Sequence, residues 1–311
     1  MTIAYTKPLS RALGRMKRAL FQPFDIGKWL ALGFAAFLAG LTDWNNGGGS
    51  GSGGKKDVDW RDIFDFPYLA WDWLCEHPGW FTLIIFGLLV LIALFVLLTW
   101  LSSRGKFMFL DNVIHNRANI TKPWYDFRWL GNSLFVWRLC FGFICFGLFV
   151  LFLVFCYLTL YELYDSYAPR SMMILAILGL ILAGMLLLTI MGYISLFLED
   201  FVIPIMYRNN LSILTAWGRF ISLFTGHVLH FLLYGLLVFS LHVLVVICVI
   251  AAGLLTCCLG LILLMIPYIG SVITLPISFT FRAFSLEFLQ QFGPEYAIFP
   301  ESIEAHASGE T

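Results

Sequence analysis

Eight polar side chains stand inside or just beside otherwise apolar stretches, and any chemistry would start from them. His227 and His230, at i and i+3, share one helix face, and His242 falls within ~60° of His227 on the same wheel. Two imidazoles on one face can begin a metal site, but zinc needs further ligands. Asp111 and His115, an i,i+4 pair, supply them only if their segment folds back. The competing reading is hydrogen bonding between helices, and neither a metal nor another cofactor is expected. Arg138 lies ten residues beyond Arg128, inside an apolar run. An ionisable group at membrane depth is a site candidate, with Asp111, Asp200 and Glu287 as its expected partners. These groups read either as ion pairs at the membrane interface or as an entry site for a cation or amine. No HExxH, GxSxG, Walker or dinucleotide fingerprint occurs, so an enzyme is not the expected class.

The elements holding these residues follow from where charge is missing. Hydrophobic residues make up 60% and charged residues 12%, against about 25% charge in soluble domains. Mean hydropathy is +0.86. No Lys, Arg, Asp or Glu occurs in 29–42, 77–103, 139–161, 171–198 or 220–281. A helix needs about 20 apolar residues to cross the hydrocarbon core. The middle three runs suffice for one crossing each, and the last, 62 residues long, for two. The short first run reads as a retained span rather than a signal peptide, because 28 residues precede it and no A-x-A-like site follows.

The expected architecture is therefore an all-α integral membrane protein with six spans, at about 29–42, 79–101, 133–160, 172–198, 223–250 and 266–286. Residues 1–28 form an amphipathic cytoplasmic segment, 43–78 an outer loop and 290–311 a cytoplasmic tail. Alternating the loops puts 15 of 19 Lys and Arg on one side, which the positive-inside rule makes cytoplasmic. Both ends are then inside, in a bacterial inner membrane. Cys75 is a candidate to pair with Cys257 or Cys258 on the outer side. The outer loop begins with a flexible glycine tract at 47–54 and continues with acids interleaved with tryptophan, an interfacial pattern.

On the wheel of residues 7–20, Leu9, Leu13, Met16 and Leu20 form one stripe, with Arg11, Arg15 and Arg18 opposite and Lys17 on the flank. That is the pattern of a helix lying on anionic lipid, or of one packed on the protein's own spans. The lipid bilayer, its anionic cytoplasmic lipids above all, and a membrane-protein partner are the expected partners; nucleic acid is not.

A repeat underlies this layout. Pro23 to Leu30 corresponds to Pro123 to Leu130 at a constant offset of 100. A fainter third copy runs from Arg208 to Ile221. Asp111, Asp200 and Glu287 end the incoming spans at similar spacing, so the chain reads as three helical hairpins, each prefaced by a basic amphipathic segment. Such repeats build many membrane cores. Pro267, Gly270 and Pro276 should interrupt the sixth span.

The residues Asp200-Phe201 with Pro204, then Trp217, and the ending Leu275-Pro276 with Arg282 to Pro294 resemble bacterial six-span proteins known only as a domain of unknown function. The repeat is also distantly similar to the membrane domain of some glycerophosphoryl diester phosphodiesterases. Their soluble catalytic barrel has no counterpart in this sequence, so the resemblance implies a fold and no catalytic residues. The leading expectation is a non-enzymatic envelope protein that organises partners or lipids; a transporter or channel and an intramembrane enzyme are the alternatives.

Overall fold

A computed structural model describes residues 3–43, 68, 71–166, 169–256 and 259–299. The described chain is helical and contains no strand. In order come α1 (Thr6–Phe21), α2 (Ile26–Gly40), α3 (Pro78–His115), α4 (Thr121–Asp126), α5 (Arg128–Asp165) and α6 (Arg170–Phe197). Then follow α7 (Ile203–Asn209), α8 (Ile213–Gly226), α9 (Val228–Leu255), α10 (Leu259–Met265), α11 (Pro267–Ile273) and α12 (Leu275–Leu289). A π-helical turn, Leu198–Val202, joins α6 to α7.

Among the described residues, four helices are long and apolar enough to cross a membrane: α3, α5, α9 and the continuous stretch Arg170–Asn209. A fifth arises if α11 and the stretch Leu275–Phe292, bent by 62°, count as one. The expected span at 29–42 becomes α2, whose 15 residues rise about 22 Å, short of a ~30 Å core. The span expected from 223 starts at Val228, because His227 leaves helical geometry (φ −142°, ψ 36°). The expected interruption of the last span falls at Ile266 and Thr274. Pro267 and Pro276 sit in the first turns of α11 and α12, where a missing N–H costs nothing.

The chain forms two compact units. The first comprises residues 1–41, 100–138 and 191–311. Its described core is aromatic: Phe201 stacks on Phe220 and meets Phe231 and Tyr234 edge-on or tilted, while Phe284 and Phe288 close over Tyr234. The helices here come close through small residues, as expected where lipid removes the hydrophobic drive for association. A Cβ on Gly105 would lie 2.7 Å from the Ala39 nitrogen and from Leu38 Cβ, so α2 crosses α3 on bare backbone. The second unit comprises residues 42–99 and 139–190. Its helical segments present Leu83, Phe86, Phe146 and Leu186 outward, each more than 60% exposed. Such surfaces need an apolar solvent.

The tail expected from 290 starts packed, with Ala297, Ile298 and Phe299 buried. The glycine tract, most of the acidic–aromatic loop, Cys257, Cys258 and residues 300–311 lie outside the described residues, and the proposed Cys75 pairing with them.

The repeated basic–aromatic pair has a physical role in its first copy. Lys28 Nζ donates to the Ala19 carbonyl at 2.8 Å and Trp29 Nε1 to that of Leu20 at 2.8 Å. Both carbonyls end α1 and lack helical donors, so the start of α2 caps the end of α1. Asp25 caps α2 in turn, accepting from the Gly27 and Lys28 amides. The corresponding Trp129 is 55% exposed instead.

Candidate functional site

Helices α3, α5 and α12 bring one cation each, and the π-turn two acids, to a common, largely buried place in the first unit. Lys106, with 1% of its side chain exposed, donates to the Glu199 carboxylate. Arg282 Nη1 donates to the backbone carbonyl of Glu199 at 2.6 Å. Arg138 Nη1 donates to Ser102 Oγ at 3.0 Å and lies near enough to act on Glu199 electrostatically. Ser102 passes the link to α2 by donating to the Ala39 carbonyl at 2.8 Å. Beside Glu199, Asp200 accepts from the fully buried Tyr234 hydroxyl at 2.9 Å. Three cations thus meet two acids. Both acids sit on the π-turn, and each faces a different partner. Turns of this kind recur at functional sites.

Asp111 forms a second centre, 1% exposed. Arg117 reaches it through Nε at 3.2 Å and Nη2 at 2.8 Å, and Tyr207 donates to it at 2.7 Å. His115 Nδ1 stands 3.2 Å away. Asn112 and Asn119 exchange hydrogen bonds at 3.0 Å across the same turn. Asp111 therefore folds the chain after α3 back onto its own end.

Glu287 forms the third. It is 1% exposed and accepts from Arg15 Nε at 2.6 Å and from Gln290, with Arg11 at 3.7 Å. Arg15 also lies 3.8 Å from the centre of the Phe299 ring. Ala4 and Gln291 exchange hydrogen bonds at 2.9 and 3.0 Å, pinning the start of α1 beside the end of α12. Burial raises the Tyr5 phenol above its ordinary pKa, and burial next to Glu295 does the same for Tyr296.

The helix α1 is rotated from the orientation its aliphatic stripe suggests. Pro8, Ala12, Ala19 and Leu20 are buried, while Lys7, Arg11, Leu13, Lys17 and Arg18 are exposed. Small residues admit closer approach than leucine does, and the turn brings Arg15 round to Glu287. A cavity of about 310 Å³ opens nearby, lined by Arg15, Arg18, His115 and Asn116 among others. The last turns of α1 and α3 supply Arg18, Ala19, Ile114 and His115 to its lining.

Compared with known families, residues 4–275 match the model of a family described as "Family of unknown function (DUF7544)". The chain belongs to this family. No curated protein and no solved structure matches it. In this DUF7544 member the matched stretch carries Lys106, Asp111, Arg138, Glu199 and Asp200, and ends before Arg282 and Glu287.

The histidines do not gather into a common centre. His227 and His230 rings lie 6.1 Å apart, and His227 packs on Phe292 at 5.2 Å. His242 bonds the Val238 carbonyl at 2.9 Å and stacks on Phe281 at 4.1 Å. Among the described residues of this DUF7544 member no three His, Cys, Asp or Glu side chains form a group that could hold a metal ion. The partners expected for Arg138 take other donors: Asp111 takes Arg117 and Tyr207, Asp200 takes Tyr234, and Glu287 takes Arg15. The acid missed by the sequence reading is Glu199. Its signal was present, for Arg138, Glu199 and Arg282 are each the first charge bounding a charge-free run.

Proposed function

We propose that this chain is a non-enzymatic, multi-pass membrane protein whose basic end gathers anionic lipid. The observation carrying this reading is α1. One side is bolted to α12 through Glu287, and the rest leaves Lys17 and Arg18 exposed with Leu13, while Arg11, 3.7 Å from Glu287, stays largely exposed at the edge of that contact. A basic surface with an apolar flank, held rigidly, suits a phospholipid headgroup layer, each basic residue there being worth roughly 1 kcal/mol. The test is the lipid retained when the full-length protein is extracted from mixed membranes in polymer-bounded discs. Anionic lipid should be enriched over the bulk membrane, and Arg11→Gln, Lys17→Gln and Arg18→Gln together should return it toward the bulk share. Equal enrichment around the triple variant would refute the reading.

The proposal includes six crossings as three pseudo-repeated hairpins, both ends cytoplasmic. The acids Asp111, Asp200 and Glu287 at corresponding ends support it, as does the bias of basic residues. Single cysteines at Ser52 and Ser308 test it by labelling in intact cells. Position 52 should label from outside and 308 only after permeabilisation; labelling of both from the same side sinks the topology.

A second reading, transport of a small solute or lipid, is favoured by the Lys106–Glu199–Arg282 network on a π-turn. It requires flux in reconstituted vesicles that disappears when the network is neutralised.

A further inference from the structure

Arg104 and Arg128 are two cations that the fold pushes together without supplying an acid. Arg104 sits on α3 and Arg128 opens α5. They are neighbours because α5 passes α3 at Gly131, where a Cβ would lie 2.8 Å from Arg104 Cγ. Among the described residues neither guanidinium forms an ion pair, and the two charges repel each other. The nearest acid in sequence, Asp126, is exposed and pairs with neither. Arg104 has five N–H donors. One, Nη2, reaches Asn132 Oδ1 at 3.2 Å, while Nε is buried with no partner. Its guanidinium is held 4.5 Å from the Trp100 ring and 5.2 Å from that of Trp124. Those rings fix its plane and leave its forked edge to face another group.

Charge counts the same way. To the two guanidiniums, the start of α5 adds about half a positive charge, and α4, just before it in the chain, carries the exposed Lys122. The place also fits a headgroup layer: the charge-free run of α3 ends at Ser103 and that of α5 begins at Leu139. Exposed Tyr125 and Trp129 flank it, as aromatic residues do at a membrane interface. Arginine forks match phosphate oxygens pairwise.

We infer that Arg104, Arg128 and Asn132 form a binding site for a phosphate group, carried by an anionic phospholipid headgroup or by a soluble phosphate ester. The site shares no residue with the basic face of α1, so either can fail without the other.

The test uses the full chain in detergent, titrated with inorganic phosphate, with dihexanoyl phosphatidylglycerol and with dihexanoyl phosphatidylcholine, read by native mass spectrometry and thermal unfolding. Binding of the glycerol lipid far above phosphate assigns a lipid source; comparable binding of phosphate alone assigns a soluble one. Arg128→Gln should weaken whichever binds by at least about tenfold, one charge-assisted contact. Arg128→Glu gives the sharper signature. It places a carboxylate beside Arg104, so the unliganded protein should unfold at a higher temperature while phosphate binding is lost. The triple α1 variant should bind these probes as the unmodified protein does. The inference is overturned if neither anionic probe binds, or if both Arg128 variants bind them unchanged. Loss of binding in the α1 variant with retention in the Arg128 variants would overturn it too, while leaving the α1 reading standing.

Discussion

Glu199→Gln should lower the stability of the protein by about 2–4 kcal/mol, somewhat under the usual cost of removing one partner from a fully buried ion pair, because 30% of the Glu199 side chain is exposed. The exchange hardly alters volume. It removes the negative charge that Lys106, with 1% of its side chain exposed, donates to, and leaves Lys106, Arg138 and Arg282 with Asp200 as the remaining acid of the network. Thermal unfolding in detergent should fall by roughly 10 °C. Adding Lys106→Met should recover most of the loss, because a buried pair replaced by apolar groups is often neutral or stabilising. A single glutamine variant as stable as the unmodified protein would show that the network carries no net charge coupling. The double variant also separates the two functional readings. It keeps α1 and its lipid face intact, so lipid enrichment should survive, whereas any flux through the network should not.

Glu287→Leu should release α1. Arg15 then loses its carboxylate, and since 21% of that side chain is exposed it rehydrates in part. The cost is about 2–4 kcal/mol, below that of a fully enclosed pair. Hydrogen exchange reads the effect locally. Amides of Thr6–Phe21 should lose protection, while those in the middle of α3 and α9 stay slow. Leu13→Asp lies on the exposed side and should leave the docking intact. If α1 keeps its protection in Glu287→Leu, the apolar contacts through Ala12 and Ala19 hold it without the ion pair.

What the sequence revealed, and what it hid, follows from which forces leave a trace in spacing. The absence of charge is a long-range pattern, so α3, α5, α6 and α9 could be read directly, and the bent last segment could be read from Pro267 and Pro276. The partner choices could not. Asp200 and Glu199 are neighbours, separated by about 100° on an ideal helix. Which one meets Lys106 depends on a π-turn that a 3.6-residue period does not encode. The orientation of α1 was hidden for another reason. A hydrophobic stripe marks where apolar area lies, but in a lipid-solvated protein close approach counts for more than area. Ala12 and Ala19, almost silent in a hydrophobicity pattern, share the interface with Leu20, while Leu13 of the stripe stays exposed. Arg104 and Arg128 were visible only as loop basicity, because their pairing depends on Gly131, which carries no side chain to read.

The contact between Arg15 and Glu287 spans 272 residues of chain. At a synthesis rate of about 5–20 residues per second, roughly 15–55 s separate the emergence of one partner from that of the other. For that interval α1 has been made but its docking surface on α12 has not. Its alanine side and its basic side are both unsatisfied, and the nearest surface able to take both is the membrane being filled by α3 and its successors. Helix α12, made long after α1, therefore works as a latch on it, and α1 should acquire protease resistance in a nascent chain only once Glu287 has left the ribosome.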